Sequence, residues 1–197
     1  MKVRTHINIA RLSVKKIINN IELSWIEKIM FYIGTVEPDL GITQFIHPHF
    51  YVKSAEYVYN KIKRLQEREA KGLMGAFELG RIVHYLSDFC CHVHSSGGIG
   101  NVNEHLVYER SINKYLLRNF NLVFNSINFM PSSIQKYDSM ISFIEETIKE
   151  YGLSVPSFFN DIEKSTKICT ALLKVLYSSK AAVLNNEVLS VEMKLAS

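Results

Sequence analysis

The chain has 197 residues, 47% of them apolar and 21% charged, which is enough for one sizeable core and excludes the polar, charge-rich signature of a disordered chain. Twenty-three basic against 19 acidic side chains leave a net charge of +4 spread along the sequence, so nucleic acid is not singled out and only mild attraction to anionic lipid or phosphate-rich substrates is supported. Three cysteines, the adjacent Cys90 and Cys91 plus Cys169, do not make a paired disulfide framework and read as reduced thiols.

The opening Met1-Lys2-Val3-Arg4-Thr5-His6 runs into Asn8, Arg11, Lys15 and Lys16 rather than an apolar signal segment, and no apolar run approaches the ~20 residues of a membrane span. A cytoplasmic protein is the expectation, with secretion the alternative if the chain is a processed form. Apolar positions at Ile7, Ala10, Leu12 and Val14, then Ile17, Ile18, Ile21, Trp25, Ile26 and Ile29, suit one or two opening helices. Gly34 to Pro48, with Pro38 and Gly41, reads as a long loop. A helix follows from about Tyr51 to Glu69. The basic stretch along and just after it, Lys61, Lys63, Arg64, Arg68 and Lys71, is interleaved with Glu67 and Glu69 and reads as a solvated face.

From Met74 to about Val93 the pattern is too apolar for a surface helix, so this helix should be central. Ser95 to Asn101 breaks the chain, Asn103 can cap a helix carrying Leu106, Val107, Ile112, Tyr115 and Leu116, and helices at roughly 133–151 and 157–178 complete the set. The last fifteen residues show no clear role. The prediction is a single all-α domain over residues 1–197, a multi-helix bundle.

All seven histidines, His6, His47, His49, His84, His92, His94 and His105, lie in the first 105 residues. His84 and Asp88 are four apart, so a helix projects both from one face; His105 and Glu109 repeat the spacing, and His94 lies between the pairs. A single such pair reads as a hydrogen-bonded core histidine. Two pairs in order, with a histidine between them and a histidine-rich upstream half, point instead to an ion that takes nitrogen and oxygen ligands, for which Zn²⁺ is suited.

The run His84-Tyr85-Leu86-Ser87-Asp88, then His94, then His105-Leu106-Val107-Tyr108-Glu109, resembles the metal-binding core of the bacterial zinc-dependent phospholipase C family, whose fold the fungal zinc nucleases share. The likeness takes in Thr5-His6, Gly34-Thr35-Val36-Glu37-Pro38-Asp39 and His49, and so covers roughly residues 5 to 110. It implies a zinc cluster of two or three ions in a cleft between helices: His49, His84 and Asp88 on one ion, His94, His105 and Glu109 on another. A third would be bridged by Asp88 and held by His6 and the backbone amine and carbonyl of Met1. Asp39 matches the family carboxylate that activates or orients water. His47, two residues away and beside Pro48, is the rival of His49, and His92 that of His94, where the family spacing favours His94.

The activity so implied is phosphodiester hydrolysis, cleaving a phospholipid to diacylglycerol and a phosphorylated head group, with transient membrane-surface contact and no obligate protein partner. Leu40 follows Asp39 where choline-selective members carry an aromatic residue, so a choline preference is not expected, and a soluble phosphodiester is a further candidate substrate. Two alternatives stand beside it: a nuclease of the same fold, with Phe50, Tyr51, Tyr57 and Tyr59 as stacking rings, and a non-catalytic zinc-binding helical protein.

Overall fold

Local sequence signals explain where most of the helices begin and end. The computed structural model describes residues 1–17, 23–41, 46–68, 72–95, 102–128, 134 and 136–177, and among these the regular structure is entirely helical. Helix α1 (Val3–Ile17) buries His6, Ile9, Ala10, Leu12, Ser13 and Ile17 and carries Lys15 and Lys16 in its last turn, where cations suit the helix dipole. The opening region therefore holds two helices. The second, α2 (Trp25–Gly34), begins at a capping box in which the Glu27 amide donates to Ser24 Oγ and the Ser24 amide to Glu27 Oε2.

The long loop expected between Gly34 and Pro48 contains a short helix, α3 (Glu37–Leu40), nucleated by Pro38 in its first turn. Helix α4 (Tyr51–Glu67) buries Ser54, Val58, Ile62 and Leu65, a stripe at helical spacing. Lys63, Arg64 and Arg68 are exposed as a solvated face requires, whereas Lys61 pairs with Glu78.

Helix α5 (Gly72–Phe89) is central, packing on α1, α2, α3 and α4. Every residue from Ile82 to Phe89 is buried. It stops short of the expected Val93: a turn at Cys90 and Cys91 separates it from a second short helix, α6 (His92–Ser95). Helix α7 (Val102–Ser126) already includes Asn103, which is thus in the first turn rather than at the cap. It buries Glu109, Ile112, Leu116 and Val123. It kinks at Asn119, whose side-chain amide donates to the Tyr115 carbonyl at 2.9 Å. Helices α8 (Tyr137–Gly152) and α9 (Phe158–Tyr177) close the bundle, with α9 against α1, α5 and α8.

Two glycines set the α2–α5 crossing: a Cβ on Gly34 would stand 2.1 Å from the Phe77 carbonyl oxygen, and one on Gly80 2.1 Å from that of Phe31. All three cysteines are free and buried, and burial pushes the thiols of Cys90 and Cys91 well above their ordinary range. Ile18, Ile21, Glu69, Lys71, the 96–101 turn, residue 133, Ser178 and the last fifteen residues lie outside the described residues. No helix among the described residues is long and apolar enough to cross a membrane.

Candidate metal centre

One face of α5 presents His84, Ser87 and Asp88, all fully buried, and the rest of the centre is folded onto it from separate elements. Helix α1 brings His6, and the chain before it brings the amine of Met1. Helix α3 brings Asp39, the segment before α4 brings His49, α6 brings His94, and α7 brings His105 and Glu109 one turn apart.

The two oxygens of Asp88 look onto different partners. Oδ2 lies 2.9 Å from His49 Nδ1 and 3.3 Å from His84 Nε2, and those nitrogens are 3.3 Å apart. Asp39 Oδ1 is 3.7 Å from each of the two nitrogens. Ligands 2.0–2.1 Å from a tetrahedral zinc are separated by about 3.3 Å, so these four atoms have the spacing of a zinc cage. Oδ1 of Asp88 lies 2.5 Å from the Met1 amine, 3.5 Å from His6 Nε2 and 3.6 Å from His94 Nε2. Glu109 Oε1 is 3.1 Å from His105 Nε2, 3.4 Å from His94 Nε2 and 3.3 Å from the Met1 amine.

The donor set is nitrogen and oxygen throughout, and two of its atoms, His6 Nε2 and Asp88 Oδ2, are buried without a hydrogen-bond partner. Two rings are fixed from behind. His84 Nδ1–H donates to the Thr35 carbonyl at 2.9 Å, and Ser87, whose hydroxyl donates to the His84 carbonyl, accepts from His6 Nδ1–H at 2.8 Å. Each bond leaves Nε2 as the free lone pair, the arrangement that orients metal-ligating histidines. The residues present therefore fit zinc.

The electrostatics divide the carboxylates. Burial alone would raise Asp88, but the surrounding His94, Met1 amine and His6 outweigh it and hold its carboxyl well below the usual range. Glu109 is likewise drawn down to about 2, burial being overcome by His94 and the Met1 amine. Asp39 moves the other way, raised chiefly by its own burial. Burial lowers His94 to about 4 and, with His84 beside it, takes His6 well below the ordinary histidine value. Burial also pulls on the Met1 amine, yet Asp88 and Glu109 keep it at about 11.

All the residues marked in the sequence, Met1, His6, Asp39, His49, His84, Asp88, His94, His105 and Glu109, thus meet in one place. Asp39, expected beside the ions as a water-activating group, also stands at ligand spacing from His49 and His84. The rivals do not join them. The His47 ring stacks on Tyr57 with centroids 3.6 Å apart, and the His92 ring tilts against Tyr108.

Sequence reasoning missed three supporting groups. The Thr35 carbonyl leaves no side-chain signal, whereas Ser87 could have been found three residues after His84. The third is Asp161 on α9, fully buried, which accepts from Tyr151 Oη at 2.7 Å, Tyr108 Oη at 2.8 Å and the His92 amide at 3.1 Å. It ties α6, bearing His94, to α7, bearing His105 and Glu109. Its position on the apolar stripe of α9 was the only available hint.

No curated protein and no solved structure matches the chain. A family model described as zinc dependent phospholipase C matches residues 5–158, well beyond the stretch that carries the ligand motifs. With that match spanning most of its length and an all-helical fold around the donor cluster, the chain belongs to the zinc-dependent phospholipase C family of hydrolases.

Proposed function

We propose that the chain is a phosphodiesterase that cleaves a phospholipid between diacylglycerol and the phosphorylated head group. The observation that carries this is the convergence of histidine, carboxylate and amine donors on the two oxygens of Asp88. Bound zinc would supply Lewis acidity at that point, neutralising charge on the phosphoryl oxygens and lowering the pKa of water.

His49, His84 and Asp88 would hold one ion and His94, His105 and Glu109 another, with Asp88 Oδ1, His6 and the Met1 amine around a third position. Among the carboxylates Asp39 is the most open, its side chain 20% exposed, with Oδ1 3.7 Å from His49 Nδ1 and His84 Nε2. That position at the edge of the ligand cluster suits Asp39 to accept a proton from the attacking water. Leu40 projects into solvent next to it and offers no ring to a choline cation. The rings of Tyr51, Tyr57 and Tyr59 pack against the core, which takes support from a base-stacking surface and hence from the nuclease reading.

The test is elemental analysis of chelator-free protein together with turnover of a chromogenic phosphodiester and product analysis on phospholipid. Two or three zinc ions per chain, with zinc-dependent release of diacylglycerol, are expected. His84→Ala and Asp88→Ala should lose metal and activity together, and His92→Ala should keep both. Full zinc stoichiometry in both ligand variants would sink the assignment.

A further inference from the structure

Helix α2 is turned inside out for a helix of a water-soluble domain. Trp25 is 70% exposed, Ile26 41%, Ile29 47% and Ile33 50%. At 3.6 residues per turn these four fall within an arc of about 100° on one face. The opposite face is the packed one, where Phe31 and Gly34 are buried and the two glycine contacts draw α2 onto α5.

On the packed side, Glu27 Oε1 accepts from the Gly72 amide at 3.1 Å, which holds the beginning of α5 against the first turn of α2. At the other end the chain passes from Ile33 through Thr35, whose carbonyl holds His84, to Asp39 and Leu40, the latter 76% exposed. The chain leaving the exposed face of α2 thus runs directly to the metal centre.

We propose that this face of α2 is the surface by which the protein docks on a phospholipid bilayer, an inference that rests on the phospholipase reading for its choice of occupant. The strip has interfacial chemistry: an indole at one end, aliphatic side chains along it and exposed Lys28 at its margin, on a chain of net charge +4 that suits anionic lipid. Its four α2 side chains present on the order of 400 Å², the size of a functional patch. That is about half of the ~800 Å² per partner of a stable protein interface, which argues against a second copy of the chain as its cover. Docking through α2 would set its C-terminal end at Thr35, and α3 with Asp39, near the lipid surface and spare the substrate a full exit into water.

Trp25 is the sole tryptophan, so its emission reports this face and nothing else. Zinc-loaded protein mixed with vesicles of phosphatidylcholine and phosphatidylglycerol should show a blue shift of Trp25 emission and should float with the vesicles. Ile29→Ser combined with Ile33→Ser should lower vesicle partition about tenfold or more, with turnover of a soluble phosphodiester unchanged. Lys28→Glu should weaken binding selectively on the phosphatidylglycerol-containing vesicles.

Three results would overturn the proposal: no spectral response to vesicles, lipid-free emission already that of a buried indole, or a dimer by sedimentation that the double variant dissociates. Emission requires no turnover, so the two readings fail separately. Vesicle binding without zinc-dependent hydrolysis sustains docking and sinks only the enzyme. Hydrolysis of the soluble diester without vesicle binding does the reverse.

Discussion

The Gly80→Ala substitution probes how helix packing sets the metal centre. A Cβ at this position would stand 2.1 Å from the Phe31 carbonyl oxygen and 2.8 Å from the Thr35 amide nitrogen, both backbone atoms that no rotamer change can move aside. Real Cβ contacts stay above 3.0 Å, so α2 must retreat by at least 0.9 Å. The Thr35 carbonyl lies at that end of α2, 2.9 Å from His84 Nδ1, and a retreat of this size carries the pair past hydrogen-bonding distance. Overpacking costs about 1–3 kcal/mol and the lost buried bond about 1 kcal/mol more. A fall in Tm of roughly 5–15 °C is therefore expected. Loosening the partner of a ligating histidine should weaken zinc binding about 10–100-fold. Thermal melting by circular dichroism and zinc competition against a chromophoric chelator measure the two effects. Gly152→Ala is the control: its Cβ would meet nothing within 4 Å, and both readings should stay at wild type. Wild-type Tm and zinc affinity in Gly80→Ala would refute the link between the helix crossing and the metal centre.

Asp161→Ala strands the buried Tyr151 hydroxyl and the His92 amide and should cost about 2–5 kcal/mol in urea unfolding. It should also lower zinc per chain by freeing α6 from α7, and Asp161→Asn, which keeps an acceptor, should restore part of both losses. Arg81 bridges Glu78 at 2.9 Å and Glu37 at 2.8 Å, and Lys61 also pairs with Glu78, so this network braces α3, which carries Asp39. Burial would raise Glu78, but Lys61 and Arg81 outweigh it and hold it below its usual 4.5. A depressed carboxyl contributes stability above its unfolded pKa and loses it as pH falls through the folded value. Stability followed against pH should therefore decline on the acid side of 4.5, and Glu78→Gln should flatten that limb.

Much of the site was legible because part of it is local. Four-residue spacing on a helix fixes His84 with Asp88 and His105 with Glu109 whatever else the chain does, and His94 between them follows from order alone. Apolar periodicity likewise marked α4, α5 and α9 within a few residues. It did not show that α5 ends before Cys90, because the competing partner there is remote: Asp161, 69 residues beyond His92, takes the His92 amide. Nor did it separate α3 from a loop, four residues being too few to show a period.

By itself, the sequence determined an all-helical chain bearing two one-turn ligand pairs, since both follow from a 3.6-residue repeat. Tertiary structure decided what spacing along the chain cannot encode. It placed His6, Asp39, His49 and the Met1 amine around one carboxylate, and it put the Thr35 carbonyl and Ser87 behind the ligating rings. It also decided which side of α2 is buried: periodicity marks Trp25, Ile26 and Ile29 as a helix face, but the close approach at Gly34 and Gly80 turns that face to solvent.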